Sequence, residues 1–159
     1  MHTFKDANGK VWTVTVDVDA IKTIKSLVGV NLCELHEGTP PLVERLEGDL
    51  ILLCDVLFAV LKEQADAAGI DEKKFARLLG GQAISDAINA FWEELVDFFR
   101  YARPVLAEMA SAYMTAMRAR ATAISEMTKA KSPSLPSEPS VSGIGSGTSP
   151  ASSESIPAS

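Results

Sequence analysis

Gln82-Ala-Ile-Ser-Asp-Ala-Ile-Asn-Ala-Phe-Trp-Glu-Glu-Leu-Val-Asp-Phe-Phe-Arg-Tyr101 is the stretch that decides the fold class. Ile84, Ala87, Ile88, Phe91, Trp92, Leu95, Val96 and Phe99 recur at i, i+3, i+4 and i+7, the spacing of a helix with one apolar face. Asp86, Asn89, Glu93, Glu94 and Asp97 mostly fill the other face, so Glu93-Glu94 reads as a solvated pair of carboxylates rather than a catalytic one. Such a helix buries its apolar face only against other elements, and the flanking sequence supplies them.

Toward the N-terminus, Gly80-Gly81 breaks the chain, and Asp71 is placed to cap a short helix, Glu72 to Leu79, with Phe75, Leu78 and Leu79 inward. Gly69 ends a helix that Asp49 caps and that runs to about Ala68. Its run Leu50-Ile-Leu-Leu-Cys-Asp-Val-Leu-Phe-Ala-Val-Leu61 is apolar around most of the circumference, which predicts a central position, with Phe58 facing Phe91 in the core. Thr39-Pro40-Pro41 reads as the cap and first turn of a brief helix ending near Gly48. Val30 to Glu37 fits a short strand or an extended link with Val30, Leu32 and Leu35 buried. Asp19 is placed to cap a helix carrying Ile21, Ile24, Lys25 and Val28, with Gly29 ending it. Before that, Asn8-Gly9 separates two strand-like stretches. Trp12, Val14 and Val16 alternate with Val11, Thr13 and Thr15, predicting a hairpin with its even-numbered face buried.

Toward the C-terminus, Pro104 starts a last helix running to about Lys131. Leu106, Met109, Tyr113, Met117, Ile124 and Met127 form a stripe at steps of three or four, with alanines between them. Flexible methionines adapt to varied surfaces, so Leu106, Met109, Tyr113 and Met117 are the candidate partner-binding residues. Arg118, Arg120, Lys129 and Lys131 cluster late, where they suit the helix dipole. From 132 to 159 the composition changes: 11 residues are Ser, 5 Pro and 3 Gly, too few apolar groups to offset the entropy of ordering. The expected architecture is mainly α, a small N-terminal β-hairpin packed on a bundle of about five helices. One domain spans 1-131, and 132-159 is a disordered Ser/Pro-rich tail.

Function classes narrow by elimination. The formal net charge is -6, and every basic residue precedes position 132. A net acidic domain is a poor match for a phosphate backbone, so no nucleic-acid partner is expected. Gly69 to Gly80 followed by the next helix has a helix-turn-helix rhythm, but the would-be reading helix offers Gln82 and Ser85 and then acid. The longest apolar run, Leu50 to Leu61, is too short to span a bilayer and carries Asp55, and His2-Thr-Phe-Lys-Asp6 begins no leader pattern, so no membrane partner is expected. Cys33 and Cys54 read as reduced, buried thiols of a cytoplasmic protein. Cys33 and His36 have ligand-like spacing, but no second pair completes a metal site. No catalytic, cofactor-binding or metal residues are assigned, and a non-enzymatic role is expected.

One pattern carries a family resemblance. Trp12-Thr-Val-Thr-Val16 leads into a helix with Ile21, Ile24 and Leu27; a hydrophobic helix around Asp55-Val-Leu57 follows. Then come Gly69-Ile-Asp-Glu-Lys-Lys-Phe75, Gly80-Gly81 with Ala83-Ile84, and Leu95-Val-Asp-Phe-Phe99. Over roughly residues 4 to 117 this resembles the tail assembly chaperones of long-tailed bacteriophages and prophages. The resemblance implies a non-catalytic factor in the cytoplasm of a bacterial host, without cofactors. It implies a chaperone that coats the aggregation-prone tape-measure protein, helps recruit the tail-tube protein and is often made in two lengths by a translational frameshift. The Ser/Pro tail departs from the family pattern. A homo-oligomer is compatible with the sequence, as is a different helical interaction domain, such as a phage structural adaptor or a regulatory protein.

Overall fold

A computed structural model describes residues 1–131; the segment 132–159, expected to be a disordered tail, lies outside the described residues. Two strands, β1 (His2–Lys5) and β2 (Val11–Val14), pair antiparallel with Phe4 opposite Trp12. Seven α-helices follow among the described residues: α1 (Val18–Leu27), α2 (Leu42–Gly48), α3 (Leu50–Val60), α4 (Lys62–Ala67), α5 (Glu72–Leu78), α6 (Gln82–Ala102) and α7 (Pro104–Ala130). The expected class, a hairpin on a helical bundle, is the class observed. No described helix is long and apolar enough to cross a membrane.

The hairpin alternates as its sequence requires. Trp12, Val14 and Val16 are buried, with the Trp12 ring edge-on to Phe75 at 5.3 Å between centroids. The turn differs from the Asn-Gly expectation. Only Gly9 takes a positive φ, and the five residues 6–10 form the connection. The Asp6 carboxylate organises that loop. Its Oδ1 accepts from the amides of Asn8 (2.9 Å) and Lys10 (3.0 Å), and its Oδ2 accepts from the Trp12 indole N–H at 2.9 Å. A local side-chain acceptor thus does what two positive-φ residues would otherwise do. The outer edge of β2 is closed by a side chain too: Gln64 donates to the Thr13 carbonyl (2.6 Å) and accepts from the Thr13 amide (3.1 Å), standing in for a third strand.

Several helix boundaries depart from expectation. The cap of α1 is Asp17, which accepts from the Ala20 amide at 2.7 Å; Asp19 lies in the first turn. Thr39 does not cap α2. The first amides of that helix instead find the carbonyls of Glu37 (3.2 Å) and Leu35 (2.9 Å), so the preceding loop satisfies donors that a threonine hydroxyl would have taken. Val30 to Glu37 is neither strand nor plain link: Leu32–Glu34 form a 3-10 turn, with Val30, Leu32 and Leu35 buried as expected. The single helix expected from Asp49 to Ala68 bends at Leu61 into α3 and α4. Leu61 is fully buried and Gln64, one turn on, reaches β2, so tertiary contacts outweigh an uninterrupted helical propensity.

The core gathers Trp12, Ile24, Leu32, Leu46, Leu57, Leu61, Phe75, Phe91, Trp92, Leu95 and Phe99. Helix α3 packs on α1, α2, α4, α5 and α6, and α6 carries β1 on one side and α7 on another. Both cysteines are free but half-buried, not buried as expected. Phe58 is also half-buried; it packs on Phe75 (5.6 Å between centroids) at the molecular surface rather than in the centre.

Candidate functional site

Helix α7 does not present its sequence stripe as one open surface. Leu106 is buried with Ala107 and Ala110 against α6. Tyr113 is half-buried, its ring 5.0 Å from Trp92 between centroids and its hydroxyl oxygen shielded from solvent. Burial, followed by the adjacent Glu47 carboxylate, pushes the Tyr113 hydroxyl above its ordinary range. Met117 is half-buried and Met109 is 41% exposed. Of the four candidate partner-binding residues, two belong to the α6–α7 seam and two stay within reach of a partner. Helical spacing cannot separate a seam from a free stripe when the covering helix comes from the preceding sequence. Arg118 pairs with Glu93 (2.6 Å) and Arg120 with Glu47 (2.7 Å), which fixes α7 as far as its middle. From Arg118 to Lys131 every residue is exposed.

The carboxylates of α6 also sit differently from expectation. Glu94 is only 7% exposed, against the expected solvated pair. Its Oε2 lies 2.9 Å from the Met1 nitrogen, and its Oε1 accepts from the Val16 amide at 3.4 Å. The His2 ring bridges two neighbours, Nδ1 to Glu93 at 3.0 Å and Nε2 to Asp97 at 3.0 Å. This hydrogen bond, with the Arg100 and His2 charges, holds the Asp97 carboxyl below its usual range despite some burial. The ring nitrogens point to different carboxylates, so the donors diverge, and among the described residues no group of three or more His, Cys, Asp or Glu side chains is placed to hold a metal ion. The arrangement is a clasp that fastens β1 to α6. It was hidden because the Val16 amide that Glu94 accepts from lies 78 residues away in sequence.

The open apolar feature is a cleft of about 610 Å³ between α3 and α5. Leu50, Ile51, Cys54 and Phe58 line it from α3, and Phe75 and Ala76 from α5. Leu50 is 55% exposed and Ile51 76%, so the first turn of α3 leaves the core, against the expectation of a helix covered all round. Asp49 caps that turn through the amides of Ile51 and Leu52, both at 3.0 Å, which keeps this end of the helix at the surface. Asp55 inside the apolar run was the available signal. It lies one turn after Ile51 and marks the uncovered face. Around the apolar floor stand Asp55, Asp71 and Glu72, with Lys73 as the cation among the lining residues. The half-buried Cys54 thiol is raised by burial and by the Asp55 charge, so it stays protonated near neutrality. Chemically, the cleft combines an apolar floor with a rim in which carboxylates outnumber cations.

No protein-family model, no curated protein and no solved structure matches this chain.

Proposed function

We propose that this chain is a non-catalytic tail assembly chaperone of a long-tailed phage or prophage, holding a segment of the tape-measure protein and helping to deliver the tail-tube protein. The family assignment comes from the sequence resemblance. The observation that supports a binding role is the α3–α5 cleft, whose apolar floor is reached directly from solvent at Leu50 and Ile51. A cleft of this kind suits an amphipathic helix laying anchors at i, i+3, i+4 and i+7 on Leu50, Ile51 and Phe58. Clients prone to aggregate expose such rows, and covering them while acidic faces keep the complex dispersed is what a chaperone does. Contacts from α7 to the client then come from Met109 and Met117 rather than from Leu106 or Tyr113.

The experiment is co-expression with tape-measure segments and pull-down at about 0.1 and 0.5 M salt, where the higher concentration screens surface charge to within a few ångströms. Apolar binding is expected to survive the higher salt. Ile51→Glu should abolish capture, and Met109→Glu with Met117→Glu should weaken it. Capture by folded Ile51→Glu at the wild-type level removes the cleft from the mechanism. Failure of the wild-type chain to capture any tape-measure segment removes the chaperone reading.

A further inference from the structure

The distal half of α7 and the α3–α5 cleft are complementary, and neither is covered within one molecule. Residues 118–131 extend about 20 Å at helical rise, with every side chain exposed. Ile124 is 65% exposed and Met127 73%, so this arm does not fill the cleft of its own molecule. A helix with no buried face depends on the turns before it for its nucleus and gains little stability of its own.

The sequence of the arm gives it a defined docking face. Arg120, Ile124, Met127 and Lys131 fall at i, i+4, i+7 and i+11, so two apolar anchors lie between two cations on one side of the helix. The arm holds four basic residues against one acidic residue, Glu126, whereas residues 1–117 hold 18 acidic against 11 basic. Arg118 and Arg120 are engaged by Glu93 and Glu47, but Lys129 and Lys131 have no ion pair among the described residues. The cleft offers the opposite pattern, an apolar floor rimmed by Asp55, Asp71 and Glu72 against Lys73, with Asp71 already capping α5 through the Lys74 amide.

We propose that the cleft receives the distal half of α7 from a second copy of this chain, reciprocally, so that two copies close a two-fold dimer. Ile124 and Met127 rest on Leu50, Ile51 and Phe58 of the partner copy, and Lys131, on the same side of the helix, meets its acidic rim. Reciprocity uses both arms and both clefts and leaves no open end, the usual outcome for a soluble homo-oligomer. The contact uses the cleft proposed for the client, yet stands without it, because the test below contains no client.

The test is sedimentation of the full chain over a wide concentration range, with Ile51→Glu and Met127→Glu as variants. Both side chains are more than 70% exposed, so both variants keep the fold, checked by helical signal and melting. The wild-type chain should dimerise, and each variant should weaken dimerisation at least about tenfold. An equimolar mixture of the two variants should associate more strongly than either alone. Met127→Glu keeps an intact cleft and Ile51→Glu an intact arm, so one good contact is restored. A monomer at every concentration overturns the proposal. So does loss of association by Met127→Glu with none by Ile51→Glu, the pattern of arms pairing with each other, or a mixture no stronger than its components.

Discussion

Asp6 has a role out of proportion to its size. Burial alone would raise its carboxyl, but the hydrogen bonds from Trp12 and from the Lys10 and Asn8 amides, together with the Lys10 charge, outweigh that and hold it below its ordinary value. Asp6→Ala leaves a buried indole N–H and two loop amides without their acceptor. The expected cost is about 1–3 kcal/mol, read by urea unfolding at pH 7. Because the folded carboxyl titrates below its unfolded value of about 4, its contribution is full above that pH and is lost as pH falls through the folded value. The gap between wild type and Asp6→Ala should therefore shrink below about pH 4; a gap that is constant across that range would mean the charge is not involved. Phe58 and Phe91, expected to face each other in the core, also separate at this scale. Phe91 is fully buried, and Phe91→Ala should cost about 3–5 kcal/mol. Phe58 lines the cleft and is half-buried, so Phe58→Ala should cost clearly less. Equal losses of melting temperature would place Phe58 back in the core.

Among the elements, what the sequence made legible follows the range of the forces involved. The period of α6 and the alternation of Trp12, Val14 and Val16 depend on each segment facing one core; the alternation stands, and of the α6 stripe Ala87, Phe91, Trp92, Leu95 and Phe99 are buried while Ile84, Ile88 and Val96 are half-buried. The bend at Leu61 has no glycine or proline to announce it; it exists because Gln64 serves β2, 51 residues away. Glu94 looked solvated because its neighbours in sequence are charged, while Val16 and the β1 end cover it from afar. The cleft was obscured by a general rule, that an all-apolar helix is central, which fails where Asp49 holds the first turn of α3 at the surface. Helix α7 is the element on which this distinction is easiest to test. Its first half is seamed to α6 by Leu106, Ala107, Ala110 and Tyr113; its second half buries nothing. Ending the chain after Arg120 should therefore shift the melting temperature by no more than about 2 °C, the shift of a few tenths of a kcal/mol in a domain this size. Helical signal should fall only in proportion to the residues removed. A drop of many degrees would show that the distal half contributes to the core.

At the level of the whole molecule, the same division implies two regimes of motion. The hairpin, α1, α3 and α6 share one continuous core, so their amides should exchange with solvent only through global or near-global opening. The distal α7 amides are hydrogen-bonded within their helix but have no tertiary cover, which places them at the low end of local stability. In dilute protein they should exchange orders of magnitude faster than those of α6. The acidic body and basic arm then make this contrast depend on concentration. If a second copy covers the arm, its opening must be preceded by dissociation, and protection of residues 121–130 should rise with protein concentration while that of α6 stays fixed. Salt supplies an independent lever. Lys131 and the acidic rim are exposed, so raising ionic strength should reduce the added protection without altering α6. The apolar anchors Ile124 and Met127 should retain the remainder. Hydrogen exchange followed by mass spectrometry at two protein and two salt concentrations reads all of these at once. Protection of the arm that is already high in dilute protein, or that never changes with concentration, would mean that its cover is absent or comes from its own molecule, and the reciprocal dimer would fall while the core assignment stood.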